Sequence, residues 1–230
     1  MSRRAAGTAR RRASYHHGDL RAALVTAATA LLDTEGPLGV TLRGAARGAG
    51  VSQAAPYRHF SDKSALLAAV AEDGFRRLRH AIARAARTHA RDPVAALRAM
   101  AIAVVRFAAA HPSHYRLMSG PAVRGRDHPA LRDAAVGAWA LLAGAIERGQ
   151  RAGRIRPGDP VALSFALWCS IHGLAVLAVD EQIPANVLKV VPLEQLAEHA
   201  TRCLLEGLAP RPPSRAARRA RPASRATARP

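Results

Sequence analysis

The sequence predicts an all-α protein in two parts, a small N-terminal domain of short helices and a C-terminal bundle of longer ones. Alanine, the residue with the highest helix propensity, accounts for 54 of the 230 residues. Aromatic residues make up only 4% and β-branched residues are scattered, which disfavours a β-sandwich or a barrel. Apolar side chains recur at helical spacing, and no alternating strand pattern or internal repeat is present.

The first two predicted helices are short and have clear ends. The first spans 18–35, where leucines and alanines form one apolar stripe that stops before Gly36-Pro37. The second spans 42–49. Thr41 is placed to cap its N-terminus, and Gly50 is placed to end it in a left-handed conformation.

Two further helices follow a tight turn. Ser52 is placed to cap a short third helix over 53–59, and Asp62 to cap a long fourth helix that starts at Lys63. A helix of two turns, a turn with glycine and a second short helix make up a helix-turn-helix. The N-terminal part is therefore predicted to be a three-helix domain of helix-turn-helix type.

The rest of the chain predicts a helical bundle. Prolines mark the first turn of several helices, and glycine-proline pairs mark the loops between them. The predicted helices span 93–110, 112–118, 129–151, 160–180 and 193–207.

Much of the charge lies at the two ends of the chain. The formal net charge is +19 at pH 7; residues 1–15 hold five arginines and 208–230 hold seven, with no acidic residue in either. Because these segments have no apolar periodicity, we predict that 1–16 and 208–230 are disordered basic tails. The tails raise non-specific affinity for phosphates or are simply solvated. The predicted folded domains are 17–77 and 78–207.

The cysteine pattern indicates a reducing compartment. Cys169 and Cys203 lie far apart in apolar helical patterns, which predicts buried thiols. No apolar stretch follows the N-terminal arginines, so no secretory signal and a cytoplasmic location are expected. Residues 161–179 lack charged side chains, but serines, a histidine and a glycine within them favour a buried soluble helix over a membrane span.

The helix-turn-helix is uniformly basic. Residues 36–61 contain Arg43, Arg47 and Arg58 but no acidic residue, and Lys63 follows at the next helix start. An exposed face with this charge attracts phosphates, so double-stranded DNA is the expected partner.

This region also resembles a known family. The run TLRGAARGAGVSQAAPYRHFSDKSALLAAV, after a helix ending in TEG, resembles the N-terminal DNA-binding domain of the TetR family of bacterial transcriptional regulators. The resemblance covers about 17–77 and is most specific at Tyr57, His59, Phe60 and Lys63.

The resemblance implies which residues read bases. The third helix of the family enters the major groove, which places Gln53 to hydrogen-bond a base edge and Ala54 and Ala55 to contact thymine methyl groups. Pro56 departs from the commonest form of the motif, because a proline inside the helix removes a backbone donor and distorts the helix locally.

The resemblance also implies contacts to the DNA backbone. The positions that bind phosphate in the family fall on Tyr57, His59 and Lys63. Thr41 and Ser52 lie at predicted helix N-termini, where exposed amides favour a phosphate oxygen, and both can also act as caps. Arg43 is placed to contact DNA, while Arg47 and Arg58 can contact DNA or remain solvated.

The C-terminal half is similar to the ligand-binding domain of a TetR subgroup named for a Trp-His-Gly signature. The similarity lies in the run WCSIHGL at 168–174 and in 111–118. It implies a homodimer formed through 160–180 and 193–207, and a small apolar or amphipathic effector that releases the protein from its operator. Candidates to line the effector cavity, each of which can instead be core, are Met100, Val104, Phe107, Tyr115, Met118, Trp139, Trp168 and His172.

No motif indicates an enzyme. The sequence has no serine-hydrolase elbow, phosphate-binding glycine loop or zinc-type cysteine cluster. The pair His111/His114 and the group His16, His17 and Asp19 lack the spacing of a metal site, which usually needs three or four convergent ligands. We therefore expect no catalytic residue, metal or cofactor. The alternative from another class is a non-specific or architectural nucleic-acid-binding protein driven by the tails, which explains the charge but not the helix-turn-helix.

Overall fold

The computed structural model describes residues 17–208. The predicted basic tails lie outside the described residues, except for Leu208. The described part contains nine α-helices and no strand, which confirms the predicted all-α class. The helices are α1 (His17–Gly39), α2 (Leu42–Gly48), α3 (Lys63–Arg87), α4 (Pro93–Ala110), α5 (Pro112–Ser119), α6 (Pro129–Arg151), α7 (Pro160–Val179), α8 (Ala185–Val190) and α9 (Leu193–Gly207).

Two predicted caps are present in the N-terminal helices. Thr41 caps α2, since its Oγ1 accepts a hydrogen bond from the amide of Gly44 at 2.9 Å. Asp62 caps α3, because its Oδ1 accepts from the amide of Ala65 at 2.8 Å. That backbone hydrogen bond is the main reason why the pKa of the Asp62 carboxyl lies below its ordinary value.

The first predicted helix ends where the sequence indicates. Gly36 has a φ of 68°, which interrupts the regular helix, and Pro37 begins a second short helical segment that reaches Gly39. Glycine occupies this left-handed conformation without the steric cost that a Cβ would add.

The described chain divides into two compact units. The N-terminal unit contains 17–75 and Ser113–Asp133, and the C-terminal unit contains Arg76–Pro112 and 134–208. This division differs from a single boundary between 77 and 78, because α5 and the loop after it pack with the helix-turn-helix.

Apolar side chains from both segments form the core of the N-terminal unit. Leu24 and Leu66 are fully buried there, and Leu117 of α5 is 1% exposed. Burying one leucine side chain contributes about 1.5–3 kcal/mol. Segment 113–133 therefore stabilises the unit that carries the helix-turn-helix.

Helix α4 is central to the C-terminal unit. It packs against α7 and α9, which also pack against each other. Its buried side chains include Leu97, Met100 and Val104. At the surface, the guanidinium of Arg106 donates two hydrogen bonds to the carboxylate of Glu194, at 2.6 and 2.8 Å. This exposed pair contributes little stability but connects α4 to α9.

Helix α7 is only half buried, which corrects the expectation of a buried helix. Its inward side chains are Ser164, Leu167, Ile171, Ala175 and Val179. On the opposite face Phe165 is 58% exposed in the single chain. By length and composition α4 and α7 could both cross a membrane, but core helices of soluble proteins pass the same test.

The prediction of buried thiols is wrong, because Cys169 and Cys203 are both exposed. Cys169 lies four residues after Phe165 and therefore shares its outward face. Cys203 lies two residues from Thr201 and from Leu205, which are buried, and so points to the opposite side of α9.

One helix was not predicted from the sequence. Helix α8 has only six residues, and its N-cap residue Pro184 makes no side-chain capping bond. Its one local signal is that Pro184 precedes it and Pro192 precedes the next helix.

Removing the cap of α4 tests the local stability of the C-terminal unit. Asp92 Oδ1 accepts hydrogen bonds from the amides of Val94 and Ala95 at 3.0 and 3.1 Å. Asp92→Ala should lower the free energy of unfolding by about 1 kcal/mol in urea titrations at neutral pH. Asp92→Asn, which keeps the acceptor, is the control and should lose much less.

The same aspartate predicts a pH dependence. The hydrogen bond from Ala95 is the main reason why the pKa of the Asp92 carboxyl lies below its ordinary value of 3.8. Its charge-dependent stabilisation should therefore be complete above the unfolded-state pKa and be lost as the pH falls through the lower folded-state pKa. An Asp92→Ala variant with wild-type stability at neutral pH would contradict both expectations.

Candidate nucleic-acid interface

The turn between α2 and the segment after it has the predicted geometry. Gly50 has a φ of 68°, and the amide of Val51 donates to the carbonyl of Ala46 at 3.0 Å. A left-handed glycine together with this hydrogen bond ends a helix and turns the chain away from the helix axis. The prediction of a left-handed Gly50 is confirmed.

The predicted third helix is much shorter in the structure. Instead of an α-helix over 53–59, the chain forms a 3-10 turn at Ala55–Arg58. Pro56 lies in its first turn and is buried. A proline also disfavours the α conformation of the residue before it, here Ala55. A continuous α-helix from Gln53 is therefore not formed.

The predicted cap on this segment is also wrong. Ala54, not Ser52, occupies the N-cap position, and no side chain caps the turn. The carbonyl of Ser52 instead accepts from the amide of Ala55 at 3.0 Å. Gln53 and Ala54 thus precede the 3-10 turn, while the Ser52 side chain is exposed.

Most of the predicted DNA-contacting side chains are exposed on this short stretch. Tyr57 is 56% exposed. Ala55, His59 and Lys63 are partly buried. The other members of the set, all exposed, are Thr41, Arg43, Ser52, Gln53 and Ala54. A ligand that approaches this face can contact them without any change in the core.

The face is positively charged. Arg43, Arg47 and Arg58 are exposed, and none of them has an ion-pair partner among the described residues. The nearest acidic residue in sequence, Asp62, is occupied as the cap of α3. Such a surface attracts a polyanion at long range.

Lys63 has a structural contact in addition to its predicted one. Its Nζ donates to the carbonyl of Leu38 at 2.7 Å, at the C-terminal end of α1. An ammonium has three donors, so this bond is compatible with a phosphate contact. It also fixes where the charge of Lys63 lies.

The buried ring of Phe60 packs in the core close in sequence to the proposed DNA-contacting residues. Phe60 is 3% exposed in the core, and the Arg21 guanidinium lies 5.6 Å from its ring centroid. Arg21 also pairs with Glu72 at 3.4 Å. These contacts connect α1 and α3 to Phe60, the second residue after the 3-10 turn.

The structure does not gather the eight predicted effector residues in one unit. Tyr115 and Met118 belong to the N-terminal unit, and the other six to the C-terminal unit. Met100 and Val104 are fully buried. Trp168 and His172 stack with ring centroids 5.3 Å apart, and burial lowers the pKa of the His172 imidazole.

Two features of the C-terminal unit suit a ligand. The indole Nε1 of Trp139 is buried with no hydrogen-bond acceptor among the described residues. A cleft of about 540 Å³ lies between the C-terminal half of α3 and α4, and its charged rim includes Arg84 and Arg106. Of the eight predicted residues only Phe107 lines this cleft. The sequence pattern did not indicate Arg84, which differs in no local way from other surface arginines.

No group of three or more histidine, cysteine, aspartate or glutamate side chains within 20–208 is arranged to hold a metal ion.

Family models match both halves of the chain. A model described as bacterial regulatory proteins, tetR family, matches residues 24–70. A second, described as the C-terminal domain of tetracyclin repressor-like proteins, matches residues 97–204. The Trp-His-Gly subgroup stays a prediction. No curated protein matches the chain.

Solved structures are similar over most of the chain. A protein of unknown function from Rhodococcus sp. RHA1 is 35% identical, with a TM-score of 0.72 over 86% of this chain and 99% of that one. A tetR-family regulatory protein from Rhodococcus RHA1 is 20% identical, with a TM-score of 0.61 over 84% and 98%. The fatty acid degradation regulator FadR from Bacillus halodurans is 17% identical, with a TM-score of 0.67 over 86% and 100%. The last two share the fold.

A single methyl group tests the close packing beneath this face. A Cβ at Gly44 would lie 2.9 Å from Leu31 Cδ1 and from Thr41 Oγ1, the capping oxygen. Gly44→Ala should therefore destabilise the protein by about 1–2 kcal/mol, because overpacking outweighs the gain in helix propensity. Gly207→Ala, where no atom lies within 4 Å, is the control. Equal urea midpoints for the two variants would contradict the packing argument.

Proposed function

The chain belongs to the TetR family of bacterial transcriptional regulators, and on that premise we propose that it is a homodimeric, ligand-responsive repressor of a palindromic operator. Family membership makes it a DNA-binding regulator rather than an enzyme. The observation that carries the proposal is the exposed basic helix-turn-helix face. The protein would act in the cytoplasm, where its operator is accessible.

The proposed DNA contacts divide into two kinds. Gln53 donates to or accepts from a base edge in the major groove, and the methyl groups of Ala54 and Ala55 contact thymine. Backbone phosphates are bound by Tyr57, His59, Lys63, Arg43 and the N-terminus of α2 at Thr41. Exposure of Gln53 ahead of the 3-10 turn supports its role, because its side chain is not held by the core.

The outward face of α7 supports a dimer. Regulators of this family act as dimers, and this face is apolar along its whole length. Its exposed residues recur every four positions at Val161, Phe165, Cys169, Gly173 and Leu177. An exposed apolar stripe of this kind is typical of a protein interface. A second copy would cover it by pairing its own α7 and α9 in an isologous contact.

Effector binding would oppose DNA binding through linkage. A ligand that binds better to a conformation in which the two reading segments are wrongly spaced weakens operator binding. By linkage, operator DNA weakens the binding of that ligand by the same factor. The buried Trp139 Nε1 supports a ligand that supplies a hydrogen-bond acceptor, since a buried donor without an acceptor is costly. The effector is therefore proposed to be apolar or amphipathic with at least one acceptor.

Selection from a randomised DNA library at two salt concentrations tests the function. The full chain and a chain that lacks 1–14 and 209–230 should recover the same palindromic motif. Binding that depends only on salt and disappears with the tails would instead establish a non-specific nucleic-acid binder.

Changing the base-reading side chain should alter sequence preference. Gln53→Ala removes the only side-chain hydrogen-bonding group among 53–55, so the selected motif should change at one position in each half-site. Tyr57→Phe is the control, because removing a phosphate-binding hydroxyl weakens binding to all sequences about equally. An unchanged motif for Gln53→Ala would contradict the assignment of Gln53.

A charge on the proposed dimer face should separate the subunits. Phe165→Asp places a carboxylate in the middle of the stripe, and sedimentation should show a shift from dimer to monomer together with loss of operator binding. Val136→Asp is the matched control, because Val136 is an apolar residue of α6 with a similar exposure, 53%. A variant Phe165→Asp that remains dimeric would overturn this interface.

A further inference from the structure

A basic loop from the middle of the chain lies in the same compact unit as the helix-turn-helix. The loop spans 120–128, between α5 and α6, and belongs to segment 113–133. Val123 within it is 8% exposed in the core of the N-terminal unit, and Leu131 just after it is 5% exposed. The loop is therefore anchored to this unit at both of these positions.

One side-chain contact places the end of the loop beside α3. His128 Nε2 lies 3.1 Å from Ser64 Oγ, within hydrogen-bonding distance. Ser64 directly follows Lys63, which is proposed to bind a phosphate, and both belong to the first turn of α3. The 120–128 loop thus borders the proposed DNA-contacting face.

Backbone hydrogen bonds give the loop a defined shape. A 3-10 turn forms at Gly125–Asp127, and Arg124 precedes it as the N-cap residue. The amide of Asp127 donates to the carbonyl of Arg124 at 3.0 Å. The amide of Arg132 in α6 donates to the carbonyl of His128 at 3.1 Å. Because the backbone of this loop is already ordered, a side chain on it binds a ligand with little further loss of backbone entropy.

The arginines of segment 113–133 differ in whether a carboxylate lies beside them. Two of its arginines lie beside a neighbouring carboxylate, with Arg126–Asp127 at 3.9 Å and Arg132–Asp133 at 3.4 Å. The side chain of Arg124 is exposed and has no hydrogen-bond or ion-pair partner within 20–208. The loop therefore presents one uncompensated guanidinium on its outer side.

We propose that the 120–128 loop is a second DNA-contacting element, in which Arg124 binds backbone phosphates that flank the bases read by the helix-turn-helix. The inference rests on the proposed operator binding. An isolated guanidinium on an exposed turn has no enclosing pocket for a free anion, whereas a duplex held by the neighbouring residues would bring phosphates to it. Such a contact adds affinity without sequence preference.

The salt dependence of operator binding tests this inference. Binding of the full chain to a duplex that contains the selected motif with long flanks is measured over a range of salt concentrations. Arg124→Ala should lower the slope of log K against log salt by about one for each phosphate that is no longer neutralised, and so by about two for a dimer. The selected motif should stay the same.

Arg148→Ala provides the control, because Arg148 is an exposed arginine of α6 in the C-terminal unit. It removes the same charge and should leave the slope unchanged. Equal slopes for the wild type, Arg124→Ala and Arg148→Ala would overturn the loop contact while leaving the operator function intact. If the wild type itself recovered no motif, the proposed function would fail first. Thermal unfolding of each variant checks that the fold is kept.

Discussion

The apolar core of the N-terminal unit is the interaction on which its proposed DNA-binding surface depends. The helix-turn-helix alone is a small domain, and small domains bury too little surface for a large stability margin. Here Leu117, Val123 and Leu131 enter its core from a segment far along the chain. The same burial that stabilises the reading face also fixes the position of the basic loop next to it.

Backbone constraints at Pro56 determine the local structure of the residues that are proposed to read bases. Pro56 limits the second helix of the motif to a single 3-10 turn and is itself buried. The residues proposed to read bases, from Gln53 to Ala55, therefore lie in and just before a tight turn rather than along an α-helix. Because a turn has fewer internal hydrogen bonds, its position depends on flanking contacts such as buried Phe60 and the bond from Lys63 to Leu38.

The C-terminal unit shows why an uncharged helix need not be a buried one. Helix α7 buries one face against α4 and α9, while its other face stays apolar and exposed in the single chain. A soluble protein rarely leaves such a stripe uncovered, since it favours association. The exposed Cys169 belongs to this stripe, and its exposure in one chain is consistent with burial between two.

Local chemistry in the sequence determined the described α-helices other than α8, the caps at Thr41 and Asp62, the left-handed Gly50 and the basic charge of the proposed reading face. Each of these depends on neighbours within a few residues, so each could be predicted. The sequence pattern was less informative where distant contacts decide the outcome. Which face of α7 is buried, the grouping of 113–133 with the helix-turn-helix and the assignment of Tyr115 and Trp168 to different compact units depend on packing between segments far apart in the chain. Helical periodicity identifies an apolar face, but only the tertiary structure decides what covers it.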